Sequence, residues 1–269
     1  MRDERVTIQI AEGVAEVTLN RPEKLNALDP GMFEAIIEAG EHLNKTAGVR
    51  AVVLAGAGKG FCAGLDKETF ASMLAGSAGT TLGDLTKRTH GIANAFQQAA
   101  YVWRTLSVPI VAAIHGAALG GGFQIALGAD IRYVAPDARL SIMEIKWGIV
   151  PDMAGIALMR GLARADVIRE LAMTGRIFSG ADALTFGFAT AIHADPLTAA
   201  RATAKEIASR NPDAVRAIKR LLNAASDADS AAILLAESTE QGALIGSANQ
   251  IEAVRAGIEG RPGRFRDAG

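Results

Sequence analysis

VPIVAAIHGAALGGGFQIALGADIRYV, residues 108–134, is the stretch on which the fold turns. Val108 to Ile114 is an unbroken apolar run, rich in β-branched residues and closed by His115-Gly116; it reads as a buried strand. Phe123, Ile125, Ala126 and Leu127 read as a buried helix, and ADIRYVA, residues 129–135, as the strand that follows. Strand, helix and strand in so short a span imply a right-handed crossover and an α/β class. Three glycines, Gly120, Gly121 and Gly122, stand where the helix begins. Each costs roughly 0.5–1 kcal/mol relative to alanine inside a helix. Two needs account for such a triplet. Either the strand and helix pack too closely for side chains, or a ligand must reach the N–H groups that a first helical turn leaves unpaired and partly positive.

A second junction of the same design lies upstream. VRAVVLAG, residues 49–56, reads as a buried strand, and GKGFCAGLD, residues 58–66, as a loop of small residues after it. Two strand-to-loop junctions can each aim a backbone N–H at one point. A pair of converging amides is an oxyanion hole, which stabilises negative charge developing on a carbonyl oxygen.

Around these junctions the elements alternate. RVTIQI and VAEVTLN flank Glu12-Gly13 and read as a β-hairpin. Asp29 is a candidate N-cap and Pro30 a first helical residue, with Phe33, Ile36, Ile37 and Leu43 at helical spacing. A helix is expected over about Ile92 to Leu106, and RLSIMEI, residues 139–145, reads as another short strand. Residues 66–90 have weak patterning and read as a mobile segment that could serve as a lid. From about Gly155 the pattern turns helical. Ser179 and Asp182 form a capping box with Gly187 as the stop, FATAIHA (188–194) reads as a last strand, and Asn211-Pro212 opens a helix. Two alanine-rich helices follow, about Asp229 to Ile245 and Asn249 to Ile258. The expected division is a core of residues 1–195 and a C-terminal helical region of residues 196–269, which covers the core or meets another subunit.

Composition removes several classes of function. Of 269 residues 49% are hydrophobic and the formal net charge is -1, so nothing marks a nucleic-acid surface, and any bound anion must be held locally. No apolar run reaches the ~18 residues of a membrane span. The opening MRDERVTIQI lacks the apolar segment of a secretory signal, and the single cysteine, Cys62, forms no internal disulfide; both fit a cytoplasmic setting. The four histidines are scattered without ligand spacing, so no metal site is expected. GAGKGF is not a P-loop, because Lys59 is followed by Gly60 instead of Ser or Thr. Cys62 has no evident partner base and reads as a small buried residue, His115 as a hydrogen-bonded one, and Lys24 and Lys59 as loop lysines within reach of a phosphate.

Six segments, in order and in spacing, carry a resemblance over nearly the whole chain: LNRPEKLNAL (19–28), AVVLAGAGKGFCAGLD (51–66), residues 108–134, MEIKWGIVPDMAG (143–155), TGRIFSGADALTFGF (174–188) and GRPGRF (260–265). The sequence resembles the crotonase (enoyl-CoA hydratase/isomerase) superfamily. The resemblance implies a spiral of repeated ββα units, a C-terminal helical region used for trimerisation, often a dimer of trimers, and acyl-CoA thioester substrates, coenzyme A being part of the substrate and no separate cofactor being needed. By position it places the two oxyanion amides on Ala63 and Gly121, with Gly64, Leu65 and Asp66 along the path of the coenzyme.

The acids and bases must choose the reaction. In hydratases of this superfamily two glutamates activate water; the first position is Gln124 here and the second is Glu144. Gln124 can hold a water but cannot take its proton, and a helix-face spacer is an equal reading. Asp152 stands at the spacing from Glu144 that the dienoyl-CoA isomerases of the superfamily use for proton transfer, though those carry an aspartate at the position of Gln124. Asp152 also reads as an N-cap of the next helix. One carboxylate beside a thioester enolate suffices to shuttle a proton. Isomerisation of an enoyl or dienoyl thioester is therefore the favoured expectation, hydration in fatty-acid β-oxidation the second, and a non-catalytic acyl-CoA-binding module the alternative of another class.

Overall fold

The computed structural model describes residues 5–69 and 84–267. The central part of the lid segment expected within 66–90, residues 70–83, lies outside the described residues.

The chain opens with β1 (Val6–Ala11) and β2 (Val14–Leu19), an antiparallel hairpin turned at Glu12-Gly13. Helix α1 (Pro30–Lys45) follows; Asp29 caps it by accepting from Met32 N, and Met32, Phe33, Ile36, Ile37 and Leu43 form its buried face. Strand β3 (Ala51–Gly56) is apolar on both faces. Helix α2 (Ala95–Thr105) starts in a capping box of Asn94 and Gln97. Strands β4 (Ile110–Ile114) and β5 (Ala117–Leu119) lead into α3 (Gly121–Leu127), and β6 (Ile131–Val134) and β7 (Arg139–Ser141) into a 3-10 turn at Glu144–Trp147. Then come α4 (Gly155–Met159), α5 (Ala165–Thr174), β8 (Phe178–Ser179), α6 (Gly180–Phe186) and β9 (Ala191–Ile192). The chain closes on α7 (Pro196–Ala208), α8 (Pro212–Ala225), α9 (Ser230–Leu244) and α10 (Ala248–Glu259).

Two sheets result. The larger has the order β1-β2-β3-β4-β6-β9 and is parallel from β2 onward; the smaller has the order β5-β7-β8. β4 passes into β5 and β6 into β7, so successive turns of chain lay one strand in each sheet before a helix. This is the spiral expected from the sequence. Strand side chains alternate between faces. Val52, Leu54, Ile110, Ala112 and Ile114 point to the main core with α1, α2 and α3, while Val53, Ala55, Val111 and Ala113 meet Ala200, Ala204 and Ala208 of α7. The first helix past residue 195 thus covers the second face of the large sheet and packs as part of the same unit as the preceding residues.

Helix α8 is tied to that unit by Lys219, a buried lysine whose Nζ donates to Trp103 O, Val108 O and Asp130 Oδ2 at 3.1, 2.9 and 2.8 Å. Helix α9 buries none of its residues, and Leu234 and Leu235 are exposed. Among the described residues no helix is long and apolar enough to cross a membrane.

Strand β7 is shorter than RLSIMEI suggests. Its ladder with β5 ends at the pair Leu119 and Ser141, because Gly120 leaves the extended conformation at φ 51°. Glu144 consequently opens the 3-10 turn and is folded inward.

Candidate active site

The loop after β3 is held by residues 25–28. Asn26 is fully buried; its side-chain amide donates to Ala57 O and Gly60 O at 2.9 Å and to Phe61 O at 3.1 Å. Leu28 N donates to Gly64 O, and Asp66 N to Leu28 O, at 2.8 and 2.9 Å. In such an extended pairing the N–H groups alternate sides, so Leu65 turns its own N–H away from Leu28. Among the described residues nothing accepts from Leu65 N, and Leu65 lines a cavity of about 510 Å³. Ala63 N, by contrast, donates to Leu25 O at 2.9 Å. The amide expected from Ala63 is therefore consumed inside the fold. Leu65, two positions on, has the free one.

Gly121 supplies the second. It is the first residue of α3, where an N–H has no intrahelical acceptor, and none of the described residues accepts from it. The loops meet here: a Cβ on Gly64 would stand 2.5 Å from Leu119 O and 3.7 Å from Gly121 N. The close-packing reading of the glycine triplet holds at more than one position. A Cβ on Gly122 would stand 2.3 Å from Cys62 O, which is the close-packing need. Gly120 has positive φ, and a Cβ there would stand 3.3 Å from Glu144 Oε1. Between them Gly121 lines the cavity, and a Cβ on it would stand 2.6 Å from Met153 Sδ.

Glu144 is 7% exposed. Its Oε1 accepts from Gln124 Nε2 at 2.5 Å, and its buried Oε2 has no hydrogen-bond partner among the described residues. Burial pushes its carboxyl above the ordinary glutamate range, with the Gln124 amide pulling in the opposite direction. Gln124 is fully engaged at its oxygen, which accepts from Met153 N and Gly155 N at 2.9 Å each. It is neither a helix-face spacer nor free to hold water through that oxygen.

Asp152 lines the same cavity and is only partly buried. The helix after it is capped by Ala154, with no side-chain cap bond, so the N-cap reading of Asp152 fails. Its Oδ1 instead accepts from Gln97 Nε2 at 2.6 Å. Gln97 was not marked in the sequence as a site residue; its only signal was the capping pattern with Asn94.

The rest of the wall is largely apolar. Phe33 and Phe96 meet edge to face at 5.1 Å, and Met143, Met153 and Trp147 add to it. Lys24 and Lys67 stand at the lining with Asp66. Asp66 is not a free ligand: burial works against its charge, but the Glu68 N–H and the Arg21 guanidinium outweigh that and hold its carboxyl below the ordinary range. Cys62 donates its thiol to Asn26 O, and burial pushes that thiol up to about 12, so it is no nucleophile. His115 Nε2 donates to Gly58 O at 2.9 Å.

The family model described as enoyl-CoA hydratase/isomerase matches residues 9–268. The chain belongs to that family, the crotonase superfamily. The mitochondrial Delta(3,5)-Delta(2,4)-dienoyl-CoA isomerase of Homo sapiens is 33% identical over 210 residues, 77% of this chain and 64% of the isomerase. The chain thus spans less than two thirds of that relative's length. A probable enoyl-CoA hydratase of Mycobacterium tuberculosis is 31% identical over 98% of this chain and 99% of its own. Among solved structures, an enoyl-CoA hydratase from Bacillus anthracis superposes with a TM-score of 0.87 at 27% identity, covering 97% of this chain and 98% of that one. The crotonase fold and its C-terminal helical region are therefore those of this chain, and Leu65, Gly121, Glu144 and Asp152 occupy one cavity within it.

Proposed function

We propose that this crotonase-superfamily chain is an enzyme that moves the double bond of enoyl- or dienoyl-CoA thioesters through an enolate. The observation that carries the reading is the buried, unpartnered Oε2 of Glu144 in the cavity that the two free amides of Leu65 and Gly121 also line. The thioester oxygen accepts from both amides. Glu144, ionised, takes a proton from the carbon chain, and the electron pair of the broken C–H bond spreads onto the thioester oxygen. Glu144 then returns that proton at the other end of the conjugated system, directly or by passing it to Asp152, which delivers it, and the negative charge leaves the oxygen as the shifted double bond forms. Losing one such amide donor raises the barrier by about 2.7–4 kcal/mol in comparable sites. The apolar wall suits a hydrocarbon acyl group, and Lys24 and Lys67 suit the phosphates of the coenzyme.

Hydration is the second reading, favoured by Glu144 and Asp152 sharing one cavity and by the hydratase names of the relatives. The experiment is incubation with 2-enoyl, 3-enoyl and 3,5-dienoyl thioesters in deuterated water. Deuterium at the α or γ carbon with a moved double bond supports isomerisation, and a 3-hydroxy product replaces it with hydration. Silence on all three, with the thioesters bound, leaves an acyl-CoA-binding module. The exposed apolar residues of α9 and α10 fit a homotrimer or a dimer of trimers, which sedimentation would read as a mass three or six times that of the chain.

A further inference from the structure

Gln124 is 1% exposed and sits in the first turn of α3, the helix that presents Gly121 N. Its carbonyl oxygen is fixed by two backbone donors, Met153 N and Gly155 N. Those donors leave the amide only one orientation, with Nε2 toward Glu144 Oε1. The segment it grips has been shaped to it: a Cβ on Gly155 would stand 2.5 Å from Gln124 Oε1, so only glycine fits there without displacing the side chain. One side chain therefore joins the oxyanion helix, the turn that carries Glu144 and the loop that carries Asp152.

We propose that Gln124 is a positioning residue that selects Glu144 Oε2 as the proton-transferring oxygen and sets the separation of Glu144 from Asp152 across the substrate. The proposal rests on the reading of the cavity as a thioester site, and deepens it. Gln124 itself neither takes nor gives a proton. With Oε1 committed to a neutral donor, Glu144 has one oxygen left for chemistry. With Met153 and Gly155 tied to the same amide, Asp152 cannot drift relative to it. A glutamate at 124 would keep the two backbone bonds through one oxygen and place its other oxygen against Glu144 Oε1. Two carboxyl groups at that spacing share a proton.

Two measurements test this, on the full chain. The first needs no reaction: the Glu144 carboxyl is titrated by carbon-13 NMR of labelled glutamate, assigned by its disappearance in Glu144→Gln. In Gln124→Met the donor to the ionised form is gone, so Glu144 titrates at higher pH than in the parent. In Gln124→Glu it titrates in two coupled steps. An unmoved curve in both variants overturns the proposal. The second is steady-state kinetics on whichever thioester the parent turns over. Gln124→Met lowers kcat by about 10²-fold with KM within about twofold. Gln124→Glu stays near the parent over the pH range in which the pair holds one proton, where the neutral acid at 124 donates the same hydrogen bond to ionised Glu144, and loses turnover once pH rises past it. A loss confined to KM, or a Gln124→Glu profile parallel to the parent's, also overturns it. A moved titration in a parent that turns over no thioester upholds the hold of Gln124 on Glu144 Oε1, overturns its role in proton transfer and sinks the isomerase reading, whereas a parent that turns over thioester with an unmoved titration sinks only the positioning role.

Discussion

The turn at residues 144–147 and the loop at residues 151–155 each bring a carboxylate to one cavity, and they hold it differently. Glu144 is buried, takes one amide hydrogen bond from Gln124 and keeps one oxygen without a partner among the described residues. Asp152 is partly exposed and takes its amide hydrogen bond from Gln97, whose own oxygen accepts from Asn94 N and from Arg88. The two share a device, a glutamine amide on one carboxylate oxygen, and differ in solvent. Burial raises the affinity of Glu144 for a proton. The comparison teaches that the fold has made the two unequal: Glu144 is buried and Asp152 only partly so, which under the proposed reaction makes Glu144 the main proton carrier and Asp152 its assistant.

The largest expected effect tests that ranking directly. Glu144→Gln keeps the shape and should lower kcat by about 10³-fold, within the range for loss of a general acid–base group, while acyl-CoA binding measured by calorimetry is retained. Next, Gly120→Ala places a Cβ at positive φ against Glu144 Oε1; kcat should fall by about 10²-fold through displaced geometry. Gly161→Ala, with open space around it and no positive φ, should leave turnover unchanged. Asp152→Asn should cost about tenfold in kcat, and Gln97→Met less. A loss for Asp152→Asn equal to that for Glu144→Gln would break the comparison and make the pair equivalent.

The smallest effect sharpens it through stability. A glutamate whose folded-state pKa is raised above 4.5 favours the folded state in its neutral form. That contribution is present below the unfolded pKa and is lost as pH rises through the folded one. At pH 7 the ionised, buried Glu144 is therefore a burden on the fold. Glu144→Gln should raise the melting temperature at pH 7, and the gain should vanish below about pH 4. A gain independent of pH would place its origin outside ionisation.

Much of the fold was legible because its signals are local. The hairpin turned at Glu12-Gly13, the Asp29 cap, the Ser179–Asp182 capping box and the stop at Gly187 all involve residues a few positions apart, and all stand as read. The end of β7 was not legible, since it depends on where β5 stops pairing. Nor was it legible which helix past residue 195 covers the core: the alanines of α7 look like those of the later helices, yet Ala200, Ala204 and Ala208 are buried on the sheet while α9 buries nothing. Composition is similar in both; the presence of a facing sheet makes the difference. In the site, Gly121, Glu144 and Asp152 were marked in the sequence and meet in the cavity. Ala63 was the wrong amide, and Gln97 was missed.

The sequence alone determined the first hairpin, the buried strands β3 and β4, the helix starts at Asp29, Ser179 and Asn211, the glycine-bared junctions and the residues able to carry a proton, because periodicity and capping act within one or two turns of chain. The tertiary structure decided which backbone N–H groups stay free and which carboxylate is buried. A free amide is defined by every neighbouring acceptor having found another donor. Residues 25–28 take Ala63 N and leave Leu65 N, and they pack against that loop only after the chain has folded back on itself.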